Sequence, residues 1–168
     1  MDSLEPAGLK VLIVEDNQYF RLLIRTVLGA LGVEEIAEAR DGGQALDMLA
    51  RFPADLVIVD WKMQPMDGVS LVRHIRSGES AVDRRLPVLM VSGYSELSLL
   101  AAARDAGVNE FLPKPISARS LVGRIMAILR TPRPFVDSNS YFGPDRRRRE
   151  HPYSGPERRR GPGGRKSD

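Results

Sequence analysis

The chain of 168 residues has no cysteine, which excludes disulfides and thiolate metal sites. No apolar run approaches the roughly 20 residues that a membrane-spanning helix needs. The opening "MDSLEPAGLK" is acidic and lacks the apolar stretch of a secretory signal. These absences lead us to expect a cytoplasmic protein. Histidine is scarce: His74 sits in a helical pattern and His151 in the tail, neither with a metal-ligand partner at suitable spacing. Net charge is small, +3, from 25 Lys/Arg against 22 Asp/Glu.

That small sum hides an asymmetry. Residues 131–168 hold 10 of the Lys/Arg and 5 of the Asp/Glu, a net of +5, which leaves 15 basic and 17 acidic residues before them. A polyanionic partner is therefore to be sought at the tail. The first 130 residues alternate short apolar runs, "LKVLIVE", "IAEA", "DLVIVD", "LPVLMVS" and "NEFLP", with helical patterns. One helix follows Asn17, a good N-cap, and closes at Gly32. Others are expected from Gly43 to Arg51, after Asp67, from about Ser95 to Ala106, and after Ser117. Five strand–helix units with continuously apolar strands imply an α/β fold: a doubly wound, five-stranded parallel sheet covered on both faces.

In such a sheet, ligands bind at the carboxyl ends of the strands. Glu15 and Asp16 end the first strand, Asp60 the third and Ser92 the fourth, and Lys114 follows the fifth. Three carboxylates together repel one another unless a cation lies among them, and oxygen ligands of this kind suit magnesium. Lys114 and Ser92 would then hold an anion beside the metal. A carboxylate nucleophile, magnesium and a lysine suit phosphoryl transfer. A lone aspartate after a strand is usually only a helix cap, so the weight lies on the whole set, with "MDG" after the third strand. Trp61, Met63 and Met66 read as packing or surface features rather than chemistry. An α/β phosphatase with an aspartyl nucleophile would want an acid two residues beyond Asp60, where Lys62 stands.

Through "VLIVEDN", "VIVDWKMQPMDG", "VLMVSGY" and "FLPKP", residues 9–130 resemble a CheY-type response-regulator receiver domain, of flavodoxin-like (βα)5 fold. The resemblance implies that Asp60 accepts a phosphoryl group from a histidine kinase or phosphotransfer protein. It implies that Asp16, Asp60 and the Lys62 backbone carbonyl hold magnesium, with Glu15 acting through water. Ser92 would bond the phosphoryl oxygens, Lys114 would pair with them, and Phe111 would occupy the aromatic switch position. A cis Lys114–Pro115 bond is also implied. The chain departs from the family in Ser92 for the commoner threonine, Gly93 for alanine, and a proline one residue late in "MQPMDG".

Residues 131–168 carry six prolines and five glycines and few large apolar side chains. They are expected to form a second segment, disordered alone and ordered by a ligand. It repeats a phrase, "YFGPDRRR" and then "YSGPERRR", with Tyr141 matching Tyr153, Asp145 Glu157, and Arg146–Arg148 Arg158–Arg160, twelve residues apart. A membrane surface or bulk RNA needs charge alone. Guanine offers O6 and N7 to arginine and N1–H and N2–H₂ to a carboxylate, so both residue types of the phrase find an edge to read. Tyr141, Tyr153 and the arginine planes could stack on the base.

The duplicated phrase behind a receiver domain resembles the arginine-rich extension of the CheY-like cyclic di-GMP effectors called Cle proteins. That resemblance implies a non-enzymatic effector with cyclic di-GMP on Tyr141, Asp145, Arg146, Arg147, Arg148, Tyr153, Glu157, Arg158, Arg159 and Arg160. It implies flagellar motor switch or chemotaxis proteins as partners, recruitment to the flagellated pole, and control of motility and attachment. DNA is not an expected partner, because the tail is too short and polar for a helix-turn-helix. The alternative is a phosphorylation-driven switch whose basic tail contacts RNA or an acidic partner.

Overall fold

The structure, a computed structural model, describes residues 5–93 and 97–147. Its first part is built from β1 (Lys10–Val14), α1 (Gln18–Ala30), β2 (Glu35–Ala39), α2 (Gly42–Leu49), β3 (Leu56–Asp60), α3 (Gly68–Ser77), β4 (Val88–Ser92), α4 (Leu97–Ala106), β5 (Glu110–Pro113) and α5 (Ala118–Arg130). The five strands form one parallel sheet in the order β2-β1-β3-β4-β5. Strand order reverses between β1 and β3, and that switch point opens a crevice at their carboxyl ends.

Alternation along the strands builds two cores. Leu12, Val14, Val57, Val59, Val88 and Met90 pack toward α2, α3 and α4. Val11, Ile13, Leu56, Ile58, Leu89 and Val91 pack toward α1 and α5. Each such side chain contributes about 1.5–3 kcal/mol on full burial. The helix starts follow the expected chemistry. Asn17 accepts from the N–H of Tyr19 and Phe20, Asp41 from Gln44, Asp67 from Ser70 and Ser117 from Ser120. Of packing and surface, the structure selects packing: Met63 is buried, and Trp61 and Met66 pack partly buried on the same core.

The segment after α5 corrects the expectation of disorder over 131–168. Phe135–Ser138 (β6) and Tyr141–Pro144 (β7) pair antiparallel as a hairpin, while residues 148–168 lie outside the described residues. Two-stranded hairpins are marginal alone, and this one rests on the receiver. Arg76 of α3 lies 5.0 Å from the Phe135 ring centroid, and Arg84 3.7 Å from that of Phe142. The two phenylalanine rings are 5.5 Å apart. Tyr141 is buried and donates its hydroxyl to the Pro144 carbonyl at 2.7 Å. Counting apolar residues in the tail underestimates its order, because its aromatic rings find guanidinium partners outside it. Close approach adds a constraint: a Cβ on Gly143 would lie 2.5 Å from the Tyr141 hydroxyl and 3.0 Å from the Cα of Gly107.

Arg76 joins these parts. Its guanidinium, 4 % exposed, donates to the carbonyls of Gly107 (3.0 Å), Arg84 (2.6 Å) and Leu86 (2.7 Å) and to Asn109 Oδ1 (3.0 Å). Burial lowers its pKa to about 10, so it stays charged at neutral pH. Arg76→Met keeps the volume but strands these acceptors. We expect urea denaturation to show a loss of about 3 kcal/mol, with faster amide exchange across 135–145.

Candidate functional site

The crevice beyond β1 and β3 is held by backbone contacts first. Arg21 Nη1 donates to the carbonyls of Glu15 (2.8 Å) and Asp16 (3.1 Å), bracing the loop that leads into α1. The Gly68 N–H donates to the Trp61 carbonyl at 2.8 Å, which folds the loop after β3 back on itself. A Cβ at Gly68 would collide with the Asp60 carbonyl oxygen, so the glycine of "MDG" is a steric requirement. On the other side the Lys114 N–H donates to the Ser92 carbonyl at 2.8 Å, and the Lys114–Pro115 bond is cis, as is Gln64–Pro65.

These loops converge the side chains. Glu15, Asp16 and Asp60 each present a carboxylate oxygen within 4.8 Å of the others. Glu15 and Asp60 are buried and Asp16 is exposed. Lys114 Nζ stands 3.2 Å from Glu15 Oε2 and 3.5 Å from Asp60 Oδ1, and 3.9 Å from the Phe20 ring centroid. Ser92 is fully buried at the end of β4. Lys62 stands two residues beyond Asp60, exposed in the loop after β3. Glu15, Asp16, Asp60 and Lys114 thus meet in this crevice, while Phe111 lies on β5 partly buried against the α2–α4 core.

The charges are poorly compensated. Burial, and then the Asp60 charge, push the Glu15 pKa up to about 7 against the pull of Lys114. Burial also raises that of Asp60, opposed first by Lys114. A crevice that disfavours its own anions invites a divalent cation, and carboxylate oxygens on two strand ends suit a hard one. Magnesium fits these residues.

The residues of the repeated phrase lie elsewhere, beside α4. Tyr141 is buried beneath the Arg146 guanidinium, 4.1 Å from its ring centroid. Arg146 Nη1 donates to Asp105 Oδ1 at 2.6 Å, and Asp145 Oδ1 accepts from the Arg147 N–H at 2.9 Å. Arg148, Tyr153, Glu157, Arg158, Arg159 and Arg160 lie outside the described residues. The sequence reading missed a groove of about 500 Å³ across α4, β5 and α5. Arg104 and Arg124 of the receiver line it together with Phe111 and with Arg133 and Arg146 from the segment after α5. Glu110 pairs with Arg124 (3.0 Å) and Arg133 (3.3 Å). No spacing rule connects positions so far apart in the chain.

The sequence profile of the response regulator receiver domain matches residues 11–126. The chain belongs to that family. Among similar proteins, chemotaxis protein CheY-3 of Vibrio cholerae is 36 % identical over 121 residues, 72 % of this chain and 92 % of its own. Chemotaxis protein CheY of Pseudomonas aeruginosa is 38 % identical over 120 residues, 71 % of this chain and 95 % of its own. The crystal structure of a putative response regulator from Chloroflexus aurantiacus superposes with a TM-score of 0.66 at 30 % identity, over 72 % of this chain and 97 % of that one. Receiver domains bind magnesium at an acidic pocket of this kind, here Glu15, Asp16 and Asp60. The family match ends before the hairpin.

A carboxyl group whose folded pKa is raised holds its proton more tightly in the folded state. Without metal, the contribution of Glu15 to stability is therefore full below about 4.5 and is lost as pH rises toward about 7. Magnesium requires the ionised form. Its affinity, read from the fluorescence of Trp61 beside Asp60, should strengthen as pH rises through about 7. Glu15→Gln should flatten that dependence.

Proposed function

We propose that this receiver is a phospho-accepting switch that acts by binding another protein and turns over no substrate of its own. The observation that carries this is Asp60, buried at the switch point and faced by Lys114 at 3.5 Å. An Asp60 carboxylate oxygen attacks the phosphorus of a phosphohistidine. The P–N bond breaks, the imidazole leaves, and an acyl phosphate forms. Lys114 stays beside the new phosphoryl oxygens, Ser92 offers them a hydroxyl, and Phe111 responds on the α4–β5–α5 face. Glu15, Asp16, Asp60 and the Lys62 carbonyl would hold magnesium, which would supply charge neutralisation. The relatives named as chemotaxis CheY proteins support a partner in chemotaxis or the flagellar motor.

The repeated phrase adds a second input, cyclic di-GMP. Asp145 and Glu157 accept from guanine N1–H and N2–H₂, while arginines of the same phrases take O6, N7 and phosphate. Ligand binding would promote docking of the receiver on its motor partner, at the flagellated pole. The reading that the tail is only an electrostatic anchor has one observation in its favour, the burial of Tyr141.

Beryllofluoride with magnesium should shift the amide signals of Asp60, Ser92 and Lys114, and Asp60→Asn should abolish those shifts. Unchanged spectra in the wild-type protein would count against the phosphoryl reading. For the tail, calorimetry on the full chain should detect cyclic di-GMP in preference to cyclic di-AMP. Asp145→Asn or Glu157→Gln should weaken binding about tenfold although each raises the net positive charge. Tighter binding by either variant would show that charge alone is at work.

A further inference from the structure

The hairpin ends where the first repeated phrase begins to display its charged residues. Up to that point it is held tightly. Phe135 and Phe142 lie against Arg76 and Arg84, and Gly143 meets Gly107. The Asp145 N–H donates to the Pro134 carbonyl at 2.8 Å, closing the hairpin's base. Arg146 is the next residue. One face of its guanidinium covers the Tyr141 ring, and Nη1 donates to Asp105, on the last turn of α4. In this position Arg146 also forms part of the wall of the α4–β5–α5 groove, beside Arg104 and Phe111.

A guanidinium with one face on a ring and an Nη1–H on a carboxylate cannot offer that N–H to a base edge or a phosphate. An anionic ligand must therefore take Arg146 away from Asp105 to use its full fork. We infer that Asp105 is a receiver-side competitor for Arg146: ligand binding at the first phrase strips this arginine from α4 and remodels one wall of the α4–β5–α5 groove. The inference rests on the proposed binding of cyclic di-GMP by the tail and adds its regulation. Asp105 acts as a positioning residue. By reciprocity, anything that stabilises the Arg146–Asp105 pair weakens the ligand, and the ligand opens the groove.

Asp105 is exposed, so Asp105→Asn should leave the fold intact. Titrating the full chain with cyclic di-GMP, we expect Asp105→Asn to bind about threefold more tightly than Asp47→Asn, in keeping with an exposed ion pair. Asp47, exposed on α2, makes the same change of net charge away from the hairpin. Without ligand, Asp105→Asn should shift the amide signals of Arg146 and Arg147, and cyclic di-GMP should shift that of Asp105 in the wild-type protein. Equal affinities of the two variants would overturn the competition, as would unperturbed Arg146 and Asp105 signals. Absence of cyclic di-GMP binding by all three proteins would overturn the tail reading and the competition with it. Binding without a difference between variants overturns the competition alone.

Discussion

A buried guanidinium that donates four hydrogen bonds to neutral oxygens holds this molecule's parts in register. Arg76 reaches from α3 to the carbonyls around β4, to the turn before β5 and to Asn109, which itself accepts from the Val88 N–H at 2.9 Å. Burying such a charge is costly unless its donors are satisfied. The cation then offers a face to Phe135. The same residue closes one side of the α/β layer and supplies the anchor for the segment that follows it.

The crevice at the far ends of the strands obeys the opposite logic. There the charges are negative, close and only partly offset by Lys114. Parallel strands put them together: β1 and β3 are neighbours in register, Glu15 and Asp16 follow β1 directly, and Asp60 ends β3. The sheet provides rigidity and the desolvation, and the raised proton affinities of Glu15 and Asp60 mark a strain that a cation can relieve. Metal binding and proton release are thereby linked.

Most of the receiver was legible from local signals. Apolar runs located every strand of the sheet, and Asn17, Asp67 and Ser117 marked helix starts that the structure bears out as caps. The gathering of Glu15, Asp16, Asp60 and Lys114 followed from strand ends alone. What escaped were contacts between elements far apart in sequence. Arg76 reads as one more polar residue on a helix, and Arg84 as a loop arginine, until the hairpin lies on them. Proline, glycine and charge dominated the reading of residues 131–168, and a handful of rings with distant partners reversed it for the hairpin. Phe111 and the groove it lines likewise depend on α4, β5 and α5 coming side by side.

The hairpin's docking has a consequence for how this chain can be dissected. A cut after α5 looks like the removal of an appendage, yet it would take away the ring that covers Arg76, the aromatic partner of Arg84 and two of the arginines in the groove. The shortened protein would lose part of its own surface along with the repeated phrase. A cut after residue 145 separates the two. It keeps the hairpin and its closing hydrogen bond, and removes residues 146–168 with all the arginines of the repeated phrase.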